Sequence, residues 1–152
     1  MTELNVLKAL FLDLDDTLCD TSTANEQAMR LMAESLQAQY GIDFDGQAFS
    51  RAYVQCIYRN WSASQRADYT PIIEQQSESA FRVQLIRDLL AGQGVQSVTE
   101  VEAQSVQHKF DRDRLQAFGF YAGITEFLAE ARKLFTLVVI TNGPEYSQLT
   151  KV

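Results

Sequence analysis

A chain of 152 residues with 46% hydrophobic and 22% charged residues has the make-up of a folded globular protein, with room for one solid core or one small domain carrying an insertion. Its net charge of -7 argues against non-specific binding to nucleic acid, which needs a basic surface to displace counterions, so a small anionic substrate would have to be drawn in by a metal or a local positive site. No apolar run approaches the roughly 18 residues of a membrane span, no secretory leader opens the chain, and Cys19 and Cys56 lack the number and spacing of a disulfide framework or metal site; two free thiols and a cytoplasmic location are expected.

Val6 to Leu12, apolar apart from Lys8, predicts a buried strand of a parallel sheet, and it runs into Asp13-Leu14-Asp15-Asp16-Thr17. Ligands of open α/β sheets gather at the carboxyl ends of strands. Asp13 and Asp15 are two apart and share a face of an extended backbone, an arrangement that points to phosphoryl transfer. Asp16 is expected to serve a solvated turn.

Thr23 and Glu26 have capping-box spacing and predict a helix with Ala28, Leu31, Met32, Leu36 and Tyr40 inward, closed by Gly41. Asp45 predicts the cap of a second helix with Phe49, Tyr53 and Ile57 inward. Trp61 to Tyr69 reads as a loop or broken turn, and Thr70-Pro71 predicts the start of the longest helix, whose stripe of Ile73, Ala80, Phe81, Leu85 and Leu89 stops before Gly92 and Gly94. Thr99 with Glu102 is a second capping box, followed by Val106 and Phe110. The segment from about Thr21 to Arg112 is therefore expected to be a small antiparallel helical bundle. Within it, Tyr58, Trp61 and Tyr69 are assigned to packing, and Arg59, Arg66 and His108 to solvated surface.

Ala117 to Gly123 predicts a return link, and Ile124, Phe127, Leu128 and Ala131 a short amphipathic helix. Phe135 to Ile140 is the second strong strand and ends in the turn cluster Thr141-Asn142-Gly143-Pro144. A right-handed crossover would make the two strands parallel and bring Asp13 and Thr141 side by side. For phosphate-ester hydrolysis, Asp13 would be the nucleophile that forms an aspartyl-phosphate, and Asp15 the acid that protonates the leaving alkoxide and later takes a proton from water. Magnesium suits an oxygen-rich site, with Asp13 and the Asp15 main-chain carbonyl as ligands. The Thr141 hydroxyl and neighbouring amides would hold phosphate oxygens.

These residues resemble the haloacid dehalogenase (HAD) superfamily of hydrolases. Asp13-Leu14-Asp15-Asp16-Thr17 is similar to that family's first motif, Val138-Val139-Ile140-Thr141-Asn142-Gly143 to its second, and the helical insertion lies where the family has a cap. The resemblance implies a partial Rossmann-like α/β core formed by residues 1–20 and 113–152, with a helical cap over 21–112. Leu18 to Thr21 and Arg114 to Gly123 would be its hinges. It also implies Asp13 as nucleophile and magnesium ligand, Asp15 as general acid/base and part of the magnesium site, Thr17 as loop support, and Thr141, Asn142 and Gly143 as the phosphate-binding group. Asp15 favours a phosphatase acting on a small phosphorylated metabolite over a dehalogenase, because halide departs without a proton. Within the phosphatases, the motifs most resemble the branch containing nucleotidases and acylneuraminate phosphatases.

The family's third and fourth motifs, a lysine and an acidic pair that completes the magnesium site, have no counterpart here. Lys151 falls too soon after the second motif to replace the lysine. Three accounts compete: a chain cut short, which is favoured, a second chain such as a homodimer partner covering the open core, and a natural remnant with a rearranged core. Weak turnover of p-nitrophenyl phosphate is expected of the isolated polypeptide. The alternative from another class is a non-catalytic fragment that binds phosphate or a protein partner.

Overall fold

The computed structural model describes residues 8–142 and 148. It is an α/β protein in which two strands enclose, in sequence, a series of helices: β1 (Ala9–Asp13), α1 (Thr21–Tyr40), α2 (Gly46–Ile57), α3 (Ala63–Gln75), α4 (Glu78–Gly92), α5 (Glu100–Ala117), α6 (Ile124–Ala131) and β2 (Thr136–Ile140). The chain divides into two compact units, one formed by Met1–Ala24 with Ala117–Val152 and the other by Asn25–Gln116.

In the α/β unit, β1 and β2 pair in parallel with Ala9 opposite Thr136 and Asp13 opposite Ile140. Asp13 is thus the last residue of its strand, and the expected parallel pairing is observed. Leu14, Leu18 and Cys19 form a small buried cluster against Leu12, Phe118, Ile124 and Leu128. The sheet leaves large apolar groups outside it: Phe11 is 63% exposed and Ile140 55%.

The helical unit has the larger core. Phe49, Tyr53, Phe81, Leu85, Ile86, Leu90 and Phe110 are fully buried, and Tyr53 meets Phe110 edge-on at 5.2 Å between centroids. Asp45 caps α2 by accepting from the Ala48 amide at 2.8 Å, as expected. The Thr99–Glu102 box also forms, with the Thr99 amide donating to Glu102 and the Glu102 amide to Thr99 Oγ1. The hydrogen bonds that the Thr99 hydroxyl and amide donate to the Glu102 carboxylate hold it below its ordinary pKa. Gly41 adopts the left-handed conformation, with φ +95°, that terminates α1.

Three expectations about the helices are corrected. Trp61 to Tyr69 is not a loop: Ser62 and Gln65 form a reciprocal capping box and start α3 at Ala63, so Pro71 lies inside that helix and withdraws one amide donor from it. The single long helix expected from Thr70 is two, because Gln76 leaves helical geometry and Ser77 caps α4 by accepting from the Ala80 amide at 3.0 Å. The first helix starts at Thr21, not at a Thr23 cap, since aspartates of the preceding loop satisfy its first amides.

Trp61, Tyr69 and Phe81 form a three-ring cluster of edge-on and tilted contacts with centroids 5.2 to 5.8 Å apart, in keeping with a packing role for Trp61 and Tyr69. Tyr58 differs, being 55% exposed with its hydroxyl accepting from Asn25 Nδ2. Arg59 also departs from its expected place in solvent: it pairs with Glu78 and lies over the Trp61 and Phe81 rings at 4.8 and 4.9 Å. Its backbone sits at φ +63° in the position after α2 that glycine usually fills. Arg66 and His108 are exposed, as expected.

Candidate active site

The loop that leaves β1 is shaped by alternation. Leu14 is buried in the small cluster, while Asp13 before it is exposed and Asp15 after it half-buried. Amides of Leu18 and Cys19 both donate to the Leu14 carbonyl at 3.0 Å, and the Asp16 amide donates to the Cys19 carbonyl at 2.8 Å, closing a compact turn. Asp16 takes φ +54°, which aspartate tolerates better than bulkier residues.

Each carboxylate in this turn has its own donors. Asp13 Oδ1 accepts from the Leu14 amide at 2.9 Å and Oδ2 from Thr17 Oγ1 at 3.1 Å. Asp15 Oδ1 accepts from the buried Thr21 hydroxyl at 2.6 Å, and Oδ2 from Gln148 Nε2 at 3.0 Å. Asp16 accepts from both the amide and the hydroxyl of Ser22, at 2.8 and 2.7 Å, and Asp20 from the Thr23 amide at 3.0 Å. Asp16 is therefore exposed yet bound to the first turn of α1, where a negative charge complements the helix dipole. The phenol of Tyr121 is raised above its ordinary pKa, by partial desolvation first and then by the negative charge of Asp20 and Asp16.

At the neighbouring strand end, Thr141 directly follows Ile140, the residue opposite Asp13. Its Oγ1 is buried and has no hydrogen-bond partner among the described residues. Asn142 is exposed, and its carbonyl accepts from Gln148 Nε2 at 2.9 Å. Gly143, assigned with them to phosphate binding, lies outside the described residues.

Among the described residues no group of three or more His, Cys, Asp or Glu side chains gathers as a metal centre. The donors at hand are oxygens. Asp13 is exposed and each of its oxygens has one bond in the loop, which leaves lone pairs for a hard cation. Magnesium is commonly held by one or two carboxylates together with water and substrate phosphate, and this donor set fits that habit.

The sequence singles out the aspartates and Thr141 as candidates but not Thr21 or Gln148, which bond to Asp15. Thr21 stands only six positions after Asp15 and so lies within local reach, whereas Gln148 stands 133 positions from Asp15 and carries no local signal.

No family model matches the sequence, and no curated protein does either. Among solved structures, the chain is similar to a HAD-hydrolase, YfnB from Bacillus subtilis, in a magnesium-bound crystal form that reveals interdomain movement, with 20% sequence identity and a TM-score of 0.57. The match covers 95% of this chain and 57% of that one, so the chain spans somewhat over half the length of its structural neighbour. The chain therefore shares the α/β fold with inserted helices of a HAD-hydrolase.

Proposed function

We propose that this chain carries the nucleophile-bearing part of a magnesium-dependent phosphomonoester hydrolase of the HAD superfamily, acting on a small phosphorylated metabolite. One observation carries the reading: Asp13 ends β1 opposite Ile140, so the nucleophile candidate and Thr141, with its buried hydroxyl, terminate adjacent parallel strands. An oxygen of the Asp13 carboxylate attacks phosphorus as the ester P–O bond breaks. Asp15 gives its proton to the departing alkoxide, then accepts one from the water that attacks phosphorus and releases inorganic phosphate, restoring the Asp13 carboxylate. Thr141 Oγ1, with the Asn142 and Gly143 backbone, holds phosphate oxygens. Asp13 and the Asp15 main-chain carbonyl would hold magnesium, which when bound offsets the repulsion between carboxylate and phosphate.

A phosphatase is favoured over a 2-haloacid dehalogenase because Asp15 is held on both carboxylate oxygens, in keeping with a group whose orientation matters, and a halide needs no proton on leaving. The nucleotidase and acylneuraminate phosphatase branch remains the preferred place within the superfamily on the strength of the two motifs.

Trapping tests the reading. The chain is incubated with magnesium and acetyl phosphate, quenched in acid and reduced with borohydride, which converts an aspartyl-phosphate to homoserine. Mass spectrometry should find homoserine at position 13, magnesium-dependent and absent from Asp13→Asn. Labelling elsewhere, or none, overturns the proposal.

A further inference from the structure

Gln148 joins the two halves of the candidate site. Its Nε2 donates to Asp15 Oδ2 at 3.0 Å and to the Asn142 carbonyl at 2.9 Å, so each of the two amide protons has an acceptor. One acceptor belongs to the loop after β1. The other is the carbonyl of Asn142, which directly follows Thr141 beyond the end of β2.

On the phosphatase reading proposed above, we infer that Gln148 is a positioning residue for the general acid. A carboxyl side chain on a loop has free rotation about two bonds, and an acid that must reach a leaving oxygen within hydrogen-bond distance loses rate steeply when misplaced. Thr21 Oγ1 fixes Oδ1 from the start of α1, and Gln148, itself bonded to the Asn142 carbonyl, fixes Oδ2. With both oxygens engaged, the Asp15 carboxyl plane is set. Because Gln148 is also tied to the Asn142 carbonyl, the acid is registered against the residue next to Thr141, not merely against its own loop. A hydroxyl in place of Nε2 could not serve both acceptors at once, since it has a single proton.

The consequence is selective for the leaving group. Departure of p-nitrophenolate needs little help from an acid, while departure of a simple alkoxide depends on it. The test measures the rate of Asp13 labelling, by borohydride trapping, from p-nitrophenyl phosphate and from methyl phosphate in the unsubstituted chain and in Gln148→Met, which keeps length and removes the donor. Gln148→Asn, too short by one methylene, guards against a packing defect peculiar to methionine. The expected result in both variants is a loss with methyl phosphate at least about tenfold greater than the loss with p-nitrophenyl phosphate. Equal losses with the two donors would mean that Gln148 merely supports the fold and would overturn the inference. Failure of the unsubstituted chain to label at Asp13 from any donor overturns the phosphatase reading and this inference with it.

Discussion

Thr17 Oγ1 donates to Asp13 Oδ2 at 3.1 Å across one turn of the loop, while the Leu14 amide holds the other oxygen at 2.9 Å. The two donors orient the carboxylate without burying it, as a nucleophile that must meet an external phosphorus requires. Thr17→Val keeps the shape and removes the hydroxyl; it should slow Asp13 labelling by acetyl phosphate about tenfold, an effect of lost alignment. Thr17→Ser should restore most of the rate. Since Thr17 is exposed, the thermal midpoints of both variants should stay near that of the unsubstituted chain.

Gly46 is required for close approach, not for its backbone angles. A Cβ there would lie 2.3 Å from the Ala33 carbonyl oxygen and 2.9 Å from the Ala33 Cα, so the backbones of α1 and α2 touch at this point. Gly46→Ala should cost about 1–3 kcal/mol or more, because backbone on both sides must move. Gly92→Ala, where the added methyl would meet nothing within 4 Å, should leave stability unchanged or slightly raised. Urea unfolding of the two variants separates them.

What could be read from the sequence follows the range of the forces involved. The capping residues Asp45, Thr99 and Glu102, the terminating Gly41 and the strand-end clusters at Asp13 and Thr141 are local signals, and each is found where its neighbours place it. The start of α3 was obscured by competition, since Thr70-Pro71 imitates a helix start while Ser62 and Gln65 form the actual one. Arg59 is not legible in the sequence because its environment is tertiary: Trp61, Glu78 and Phe81 gather around it only after α2, α3 and α4 have packed. Gln148 belongs to the same class, its two acceptors coming from separate strand ends.

Arg82 is a buried charge of the helical unit, with 7% of its side chain exposed. Its Nε and Nη2 donate to the Tyr53 hydroxyl at 2.8 and 2.6 Å, and Nη1 and Nη2 grip the Asp111 carboxylate at 3.1 and 2.6 Å. Burial alone would lower the Arg82 pKa, but Tyr53 and Asp111 outweigh it and keep the guanidinium charged. Asp111→Ala therefore strands a cation and should cost about 3 kcal/mol, whereas Arg82→Met together with Asp111→Ala should cost less than Asp111→Ala alone. Chemical denaturation of the single and double variants checks the order; a double variant less stable than the single one would show that the pair contributes more than its burial costs.

Alkaline pH should weaken the helical unit for a reason fixed by three protons. Burial first of all raises the Tyr53 and Tyr69 phenols above their ordinary 10.0 and the Cys56 thiol above 9.0; Arg82 opposes the shift at Tyr53, and Asp88 adds to it at Tyr69. Below about pH 8 both folded and unfolded chains keep these protons, and the stability they confer is fully present. Above it the unfolded chain releases protons that the folded chain retains, so stability falls as pH rises toward the raised values. Unfolding free energies from about pH 8 to about pH 10.5 should decline, and Tyr69→Phe should flatten the decline. An unchanged slope would mean that Tyr69 is not shielded from solvent.

Asp15→Asn offers the sharpest division between the two chemical steps. Acetate leaves acetyl phosphate without a proton from the enzyme, so Asp13 can still be phosphorylated when Asp15 has lost its acid. Hydrolysis of the resulting acyl phosphate is different, because the attacking water must give up a proton and the amide cannot take it. Loss of a general base typically costs about 10²–10⁴-fold, so the phosphorylated form should accumulate in Asp15→Asn to levels well above those in the unsubstituted chain, with the homoserine signal at position 13 persisting after acetyl phosphate is removed. Asp16→Asn is the control: its carboxylate is committed to the amide and hydroxyl of Ser22, so its variant should turn the label over at the unsubstituted rate. Equal turnover in Asp15→Asn would move the base to another residue while leaving Asp13 as the nucleophile.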